Sequence, residues 1–461
     1  MIDEACQVTP TQIPNPSRTW QVGTLTYSFG GLAVLFGWLL CGDFALSVRE
    51  RAMQGMMQLL LKRFGASDMI SGLLIASLPA AIGLLIGPVV GYKSDRLRTG
   101  WGRRIPFLLL TTPFIVLSVL GLAFCPQLGG CLQQLLGRHS PGAAPSVLIV
   151  LAILWTIFDM SVVISGSVFG GLLNDVVPTE VLGRFFGLFR IVSLLVGIIF
   201  FFWIMEVAEA HFTPIFLAVA IIYGLGFSLM CFKVKEGNYP PPPQTQGGPG
   251  NAMASFKAYF KDGFGHSYYL WFFAATILGG MATGPFNLYS IFYAKSLSMG
   301  MGSFGRCLAL TYSISLCLSF PLGVLVDRFH PLRISIAVIA LYGGVMVWSL
   351  YFVHGVNAFG VALVAHGVVA GTYATTSASL GQRLLPRSKF AEISSAGGIL
   401  GSLAGIAMAP VLGTVLDYKH HDYRYTFLAG LALTASALAA FTVLHGKFMN
   451  LGGPARYVAP E

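Results

Sequence analysis

Asp159 stands alone in an apolar stretch. It lies in Trp155-Thr-Ile-Phe-Asp159-Met-Ser161 and is the only charged residue between Arg138 and Asp175. A charged group at the centre of a bilayer costs about 2.5–3.5 kcal/mol or more. Such an acid is neutral, paired, or facing a cavity. Loss of water favours the protonated form of a carboxylate, which suits a group that loads and unloads a proton. Arg190 lies six residues past Arg184 in the next apolar stretch. It is a candidate partner of Asp159 or contact for substrate, or else it snorkels to the surface. Asp43 precedes Arg49-Glu50-Arg51. It reads as a second coupling acid or an outer gate, against the plainer reading of a solvated helix end. His366 is the only histidine deep in an apolar stretch, and a neutral buried imidazole is its plainer reading. Trp155, Asn287 and Tyr289, with Trp38 and Tyr373, supply the aromatic faces and amides that suit a hydroxylated ring. Asn287 follows Thr283-Gly284-Pro285, a break that would open a helix there.

The elements that must hold these groups are membrane helices. Of 461 residues, 55% are hydrophobic and 10% charged, and the mean hydropathy is +0.74. Soluble proteins carry about 25% charged residues. A soluble enzyme, a disordered chain and a disulfide scaffold are therefore excluded. Crossing a bilayer takes about 20 mostly apolar residues. Twelve stretches qualify: 24–46, 69–92, 105–124, 147–172, 185–205, 212–232, 267–294, 307–326, 334–353, 357–381, 393–416 and 425–445. The alternating segments of about 10 residues that mark a β-barrel are absent. No Gly-x-Ser-x-Gly, P-loop or His-Glu-x-x-His motif occurs, so the expectation is a protein that is not an enzyme, with no metal and no cofactor.

The net charge of +10 does not signal nucleic acid, because the basic residues sit in short connections between apolar spans. With both termini cytoplasmic, most of the 28 Lys and Arg fall on the inner side. Arg49, Arg51, Lys62 and Arg63, assigned to the first outer connection, run against that trend. Cys125 and Cys131 flank an outer loop, where a disulfide is one option in an oxidising compartment.

The twelve spans divide six and six, giving halves at 1–233 and 267–461. The connection 234–266 contains Tyr239-Pro240-Pro241-Pro242-Pro243 and a Gln/Gly-rich run, and reads as a cytoplasmic linker. Within it, 256–261 has the composition of a surface-lying segment. A repeat links the halves. After the second span the chain reads Gly91-Tyr-Lys-Ser-Asp95-Arg96, and after the eighth Gly323-Val-Leu-Val-Asp327-Arg328. Pro88 and Pro321 precede the two glycines. The first copy continues, five residues later, as Gly102-Arg103-Arg104-Ile105-Pro106-Phe107.

On these residues the chain resembles the major facilitator superfamily along essentially its whole length. The longer first loop resembles that of the sucrose–proton symporters and the related glycoside–pentoside–hexuronide cation symporters. The resemblance implies an all-α membrane protein of twelve helices in two pseudo-symmetric bundles, with one site between them. It implies alternating access, with Gly91, Asp95, Arg96, Gly102, Arg103, Arg104, Gly323, Asp327 and Arg328 in gating loops. An acid in the fourth span, here Asp159, also belongs to the sucrose-type pattern. The melibiose-like pattern of several acids in the second span and a lysine in the eleventh is not matched, since 69–92 has no acid. A proton is then the expected coupling ion, and a sugar or glycoside the expected substrate, taken up across a bacterial inner membrane. A facilitator-class exporter of drugs or metabolites, and a facilitator-fold protein that does not transport, remain the alternatives.

Overall fold

The computed structural model describes residues 19–239, 264–386 and 389–460. The surface segment 256–261 and most of the linker lie outside the described residues, as does the side chain of Asp327.

A short hairpin, β1 (Trp20–Val22) and β2 (Leu25–Tyr27), precedes the first helix. The helices of the first half are α1 (Phe29–Arg63), α2 (Asp68–Arg96), α3 (Ile105–Ala123), α4 (Cys125–Leu136), α5 (Ala143–Val176), α6 (Thr179–Ile199) and α7 (Phe212–Lys233). Those of the second half are α8 (Ser267–Ala282), α9 (Gly284–Ser296), α10 (Met301–Phe329), α11 (Pro331–Phe352), α12 (Val356–Ser377), α13 (Leu380–Leu384), α14 (Phe390–Tyr418), α15 (Arg424–Asn450) and α16 (Gly453–Arg456). Among the described residues, eleven helices are long and apolar enough to cross a membrane. The span expected at 267–294 is the exception, being built from α8 and α9 with a break at Thr283. Pro285 has no N–H to continue the ladder. The helix restarts when Asn287 N–H donates to Thr283 O at 3.2 Å.

Two expectations need correction. The first span does not end near residue 46. α1 has 35 residues, roughly 52 Å of helix at 1.5 Å per residue. Arg49 and Arg51 therefore lie inside a helix and not in a connection. The run Met56–Leu61 is rich in strong helix formers, and Arg49 is buried against other helices, so the chain has no reason to turn there. The supposed loop with Cys125 and Cys131 contains helix α4, with both thiols free. Six residues on one helix separate two Cα atoms by about 9 Å, beyond the reach of a disulfide.

In the first half α1 packs on α6 and α7, and α3 on α5 and α7. In the second, α15 packs on α8 and α11, and α10 on α12. Three pairs cross between halves: α2 with α14, α6 with α10, and α1 with α9. Two of these crossings carry a π-turn, at Leu73–Ser77 in α2 and Phe200–Ile204 after α6. Each has a glycine at its closest approach. A Cβ on Gly305 of α10 would stand 2.1 Å from the Phe201 carbonyl oxygen, and one on Gly413 of α14 would stand 2.6 Å from that of Asp68. No larger residue fits while these helices touch.

The crossings are uneven along the bundle. Call the end carrying the two Gly-x-x-x-Asp-Arg segments the motif end, and the other the far end. From Ser77, whose hydroxyl donates to Ile406 O at 2.7 Å, the α2–α14 seam is closed toward the far end. Toward the motif end Gly83, Gly87 and Gly91 of α2 face open space, and Phe320 on α10 is 82% exposed.

Candidate functional site

A cavity of about 420 Å³ lies between the halves at the π-turns and the α8–α9 break. Its polar lining comes from both sides: Gln54 and Gln58 from α1, Asn287 and Ser290 from α9, Tyr312 from α10. Phe201, Leu288, Ile291, Phe304 and Leu308 give it apolar walls. Gln58 donates to the Asn287 carbonyl at 3.4 Å, and Arg51 beside the cavity donates to Tyr312 Oη at 3.0 Å and Ser193 Oγ at 2.9 Å. Amides, hydroxyls and a guanidinium over aromatic walls can hold a small hydroxylated molecule.

Behind Asn287 runs a buried chain. His366 Nε2 lies 2.9 Å from Asn287 Oδ1, and its Nδ1 lies 2.9 Å from Tyr342 Oη. With the amide oxygen toward the ring, Nε2 carries the proton and donates to Asn287, while Nδ1 accepts from Tyr342. The imidazole thus fixes the rotamer of an amide that is itself exposed to the cavity.

Asp159 does not line this cavity. It is 6% exposed inside the first half, and its Oδ2 has no partner. The cation whose charge reaches it is Arg49 of α1, not Arg190. Arg49 is 7% exposed, lies with Cζ 5.1 Å over the Tyr223 ring, and leaves Nε and Nη1 unbonded. The buried Tyr223 hydroxyl stands beside both Ser165 and Arg49. Asp43, six residues before Arg49, is half-buried with an unpartnered Oδ2. Arg190 is exposed, and its charge reaches Tyr312. Sequence reading missed Arg49 because it was assigned to a connection. The usable signal was the absence of any proline between residues 47 and 63.

The expected aromatic contacts turn elsewhere. Trp155 donates its indole N–H to Leu74 O in the π-turn at 2.9 Å and packs on Phe158. Tyr373 is buried with an unbonded hydroxyl, and Trp38 lies under the Lys233 ammonium at 5.8 Å. Tyr289 is fully buried at the far end, its hydroxyl donating to Asp68 O at 2.8 Å.

At the motif end the charges of the first repeat form a network within the first half. Arg103 grips Asp175 of α5 through Nη2 at 2.5 Å and Nε at 2.9 Å. Arg104 pairs with Asp95 and reaches Asp175 at 3.2 Å and Ser94 Oγ at 2.6 Å. Glu236 closes the network by accepting the N–H groups of Arg103, Arg104 and Ile105 at 2.8–2.9 Å, an anion on the N-terminus of α3. Gly102, at φ +103, leaves room for that carboxylate. Tyr239 donates to Glu236 at 3.0 Å, and partial burial together with this acid pushes the phenol up from its usual pKa. Arg96 lies 4.2 Å over Tyr92. In the second repeat Gly323 faces open space, and Arg328 is exposed beside Phe329.

Among the described residues one trio has metal-ligand types and spacing: Asp68, Asp417 and His421, whose ligand atoms lie within 4.8 Å of one another. The expectation of no metal site took no account of them, because Asp68 lies one residue outside the span as drawn. Each carboxylate oxygen already accepts a bond from the protein.

No curated protein matches the chain in sequence. Solved structures match it in fold. A bacterial homolog of the human lysosomal transporter Spinster, inward-facing and unoccupied, aligns with TM-score 0.64 at 12% identity, over 94% of this chain and 100% of that one. A bacterial homologue of the iron transporter ferroportin, inward-facing, aligns with TM-score 0.65 at 15% identity, over 90% and 99%. A D-xylose–proton symporter aligns with TM-score 0.59 at 14% identity, over 88% and 95%. At these identities the likeness is one of fold. The family model for MFS/sugar transport proteins matches residues 60–385. That match covers both copies of the loop motif and, apart from the α1 residues and Met408, the cavity lining, and the chain belongs to this family: it is a multi-pass membrane transporter of the major facilitator type.

Proposed function

We propose that this transporter takes up a sugar or glycoside together with a proton, by alternating access across a bacterial inner membrane, with both termini cytoplasmic. The observation that carries the reading is the buried Asp159, with an unpartnered carboxylate oxygen, within reach of the charge of the equally buried Arg49. When Asp159 is protonated, Arg49 loses its counter-charge and is free to rearrange on α1. α1 also carries Gln54 and Gln58 into the cavity and touches α9, so a change at Asp159 reaches the substrate and the opposite half through one helix. The amide and hydroxyl lining suits sugar hydroxyls, and the fold is shared with a D-xylose–proton symporter. On this orientation the motif end is cytoplasmic and the open motif end makes this an inward-facing state.

Uptake of labelled sucrose, maltose, glucose and xylose into proteoliposomes with an alkaline interior tests the reading. Accumulation of one sugar, abolished by a protonophore, is expected. Asp159→Asn is expected to stop accumulation while leaving substrate binding and exchange. A variant that still concentrates sugar removes Asp159 as the coupling group. The apolar walls formed by Phe201, Phe304 and Leu308 favour a second reading, export of an amphipathic metabolite. That reading predicts no sugar uptake and proton-driven efflux of such a compound.

A further inference from the structure

We propose that His366 and Tyr342 are positioning residues for substrate selection. They set the Asn287 amide as a donor toward the cavity, against an acceptor on Gln58, so that the site selects a hydroxyl group. The proposal rests on the sugar reading above. His366 of α12 and Tyr342 of α11 are each 1% exposed, and neither lines the cavity. Asn287 of α9 is exposed to it. All three belong to the second half, so their arrangement does not depend on contact between the halves.

One proton decides the polarity of the chain. The Tyr342 hydroxyl has a single proton and two acceptors in reach, His366 Nδ1 at 2.9 Å and the Ala282 carbonyl at 3.5 Å. The nearer one takes it. Nδ1 is then an acceptor, and the proton of the neutral ring sits on Nε2. Nε2 donates to Asn287 Oδ1 at 2.9 Å. With its oxygen turned to the ring, the amide offers the cavity its nitrogen, a donor with two N–H groups. Packing holds the imidazole in place. Phe286 lies against it with ring centres 4.5 Å apart, and Phe359 and Phe427 pack on Phe286.

Gln58 of α1 has the opposite polarity. Its Nε2 donates to the Asn287 carbonyl at 3.4 Å, and the amide atom that faces a carbonyl must be the nitrogen. The other end, Oε1, has no partner, and the side chain is 7% exposed. The cavity lining therefore holds a set donor on the second half and an unpaired acceptor on the first. A carboxylate only accepts and an ammonium only donates, so either leaves one of these ends unpaired. An ether oxygen fails in the same way. A hydroxyl does both. Neither His366 nor Tyr342 touches the substrate in this scheme, and each acts through Asn287.

Magic-angle-spinning NMR of the full chain in lipid bilayers, with isotope-labelled histidine, tests the first step. His366 is identified by the nitrogen signals lost in His366→Gln. A protonated Nε2 and a bare Nδ1 are expected in the wild type, and a mixture of both tautomers in Tyr342→Phe. Competition in proteoliposomes tests the second step. The probes are sucrose, maltose, glucose and xylose, each against its monodeoxy and deoxyfluoro analogues. For a sugar that is taken up, replacing one particular hydroxyl by hydrogen is expected to weaken competition about tenfold or more. Fluorine there accepts without donating, and is expected to fall between the two. His366→Leu leaves the amide free to turn either end to the cavity. It is expected to bring all three compounds within about twofold of one another. His366→Gln, whose amide nitrogen can donate to Asn287 Oδ1, is expected to restore the ranking. A residue that only supported the fold would lower the amount of active transporter and leave the ranking unchanged. If His366→Leu fails to fold, Tyr342→Phe carries both measurements, with a blunted ranking expected. A protonated Nδ1 in the wild type, or the wild-type ranking kept in His366→Leu, overturns the proposal and leaves sugar uptake standing. Uptake of none of the four sugars overturns the sugar reading and the proposal with it.

Discussion

Asp159 and Arg49 are a test case for how a membrane protein keeps charge in its interior. Each is more than nine-tenths buried, on a different helix, with polar atoms that no neighbour satisfies. Removing one member of such a pair strands the other, at a cost of about 3–5 kcal/mol. Arg49→Gln is therefore expected to lower the unfolding temperature sharply. The double variant Arg49→Gln/Asp159→Asn is expected to be more stable than Arg49→Gln alone. A double-mutant cycle by thermal unfolding in detergent checks this, and additive losses would show that the two charges do not interact. The depth of Asp159 was legible in the sequence, since nothing else charged lies within fifteen residues on either side. Its partner was not. Arg190 is the nearest deep arginine by hydropathy, yet its side chain is exposed, and the charge that reaches Asp159 is that of Arg49.

At the scale of elements, the irregular turns do the positioning. The π-turns of α2 and α6 both sit where the first half meets the second. A π-turn leaves a carbonyl outside the helical ladder, and Trp155 takes up that of Leu74. The break at Thr283 was visible as Thr-Gly-Pro, because Pro285 removes a donor wherever it falls. The π-turns carry no comparable residue signature. The connection after α7 is a second element whose role the sequence hid. Read as a plain linker, its first residues instead bind the loop between α2 and α3. Glu236 accepts three backbone N–H groups there, and Asn238 N–H donates to Thr24 Oγ1 beside the hairpin at 2.8 Å. Glu236→Gln removes the charge from these bonds and is expected to cost about 1–3 kcal/mol. Thermal unfolding reads it, and an unchanged midpoint would mean that the helix N-terminus is satisfied without the acid.

For the whole molecule, the two ends differ in kind. The far end is closed by bonds between halves, at Asp68, Asp417, Tyr289 and Tyr423. The described motif-end network of Asp95, Arg103, Arg104 and Asp175 binds helices of the first half to each other. A network of that kind makes one half rigid so that it moves as a body. Moving Arg49 and Arg51 from a connection into α1 also removes two of the four basic residues that opposed the assigned orientation. In a background with the native cysteines changed to Ser, Cys131 on the same helix included, a thiol reagent that cannot cross membranes is expected to label Leu135→Cys, on α4 at the far end, in intact cells. Trp101→Cys, at the motif end, is expected to react only after permeabilisation. The reverse pattern inverts the orientation.

The sequence by itself determined the membrane class, the apolar spans, the paired Gly-x-x-x-Asp-Arg segments and the depth of Asp159. Each of these depends on residues close together in the chain, where composition and local backbone chemistry decide. Only the tertiary structure decided which charges meet. Asp68 and His421 are separated by 353 residues and share a hydrogen bond, and the charge of Arg49 reaches Asp159 from another helix. A hydropathy profile records how apolar a segment is and not which face it turns to which neighbour. A charge buried against a partner therefore looks the same to it as a charge in water. Tyr289 illustrates the limit: its type suited a sugar, and packing spent its hydroxyl on the carbonyl of Asp68.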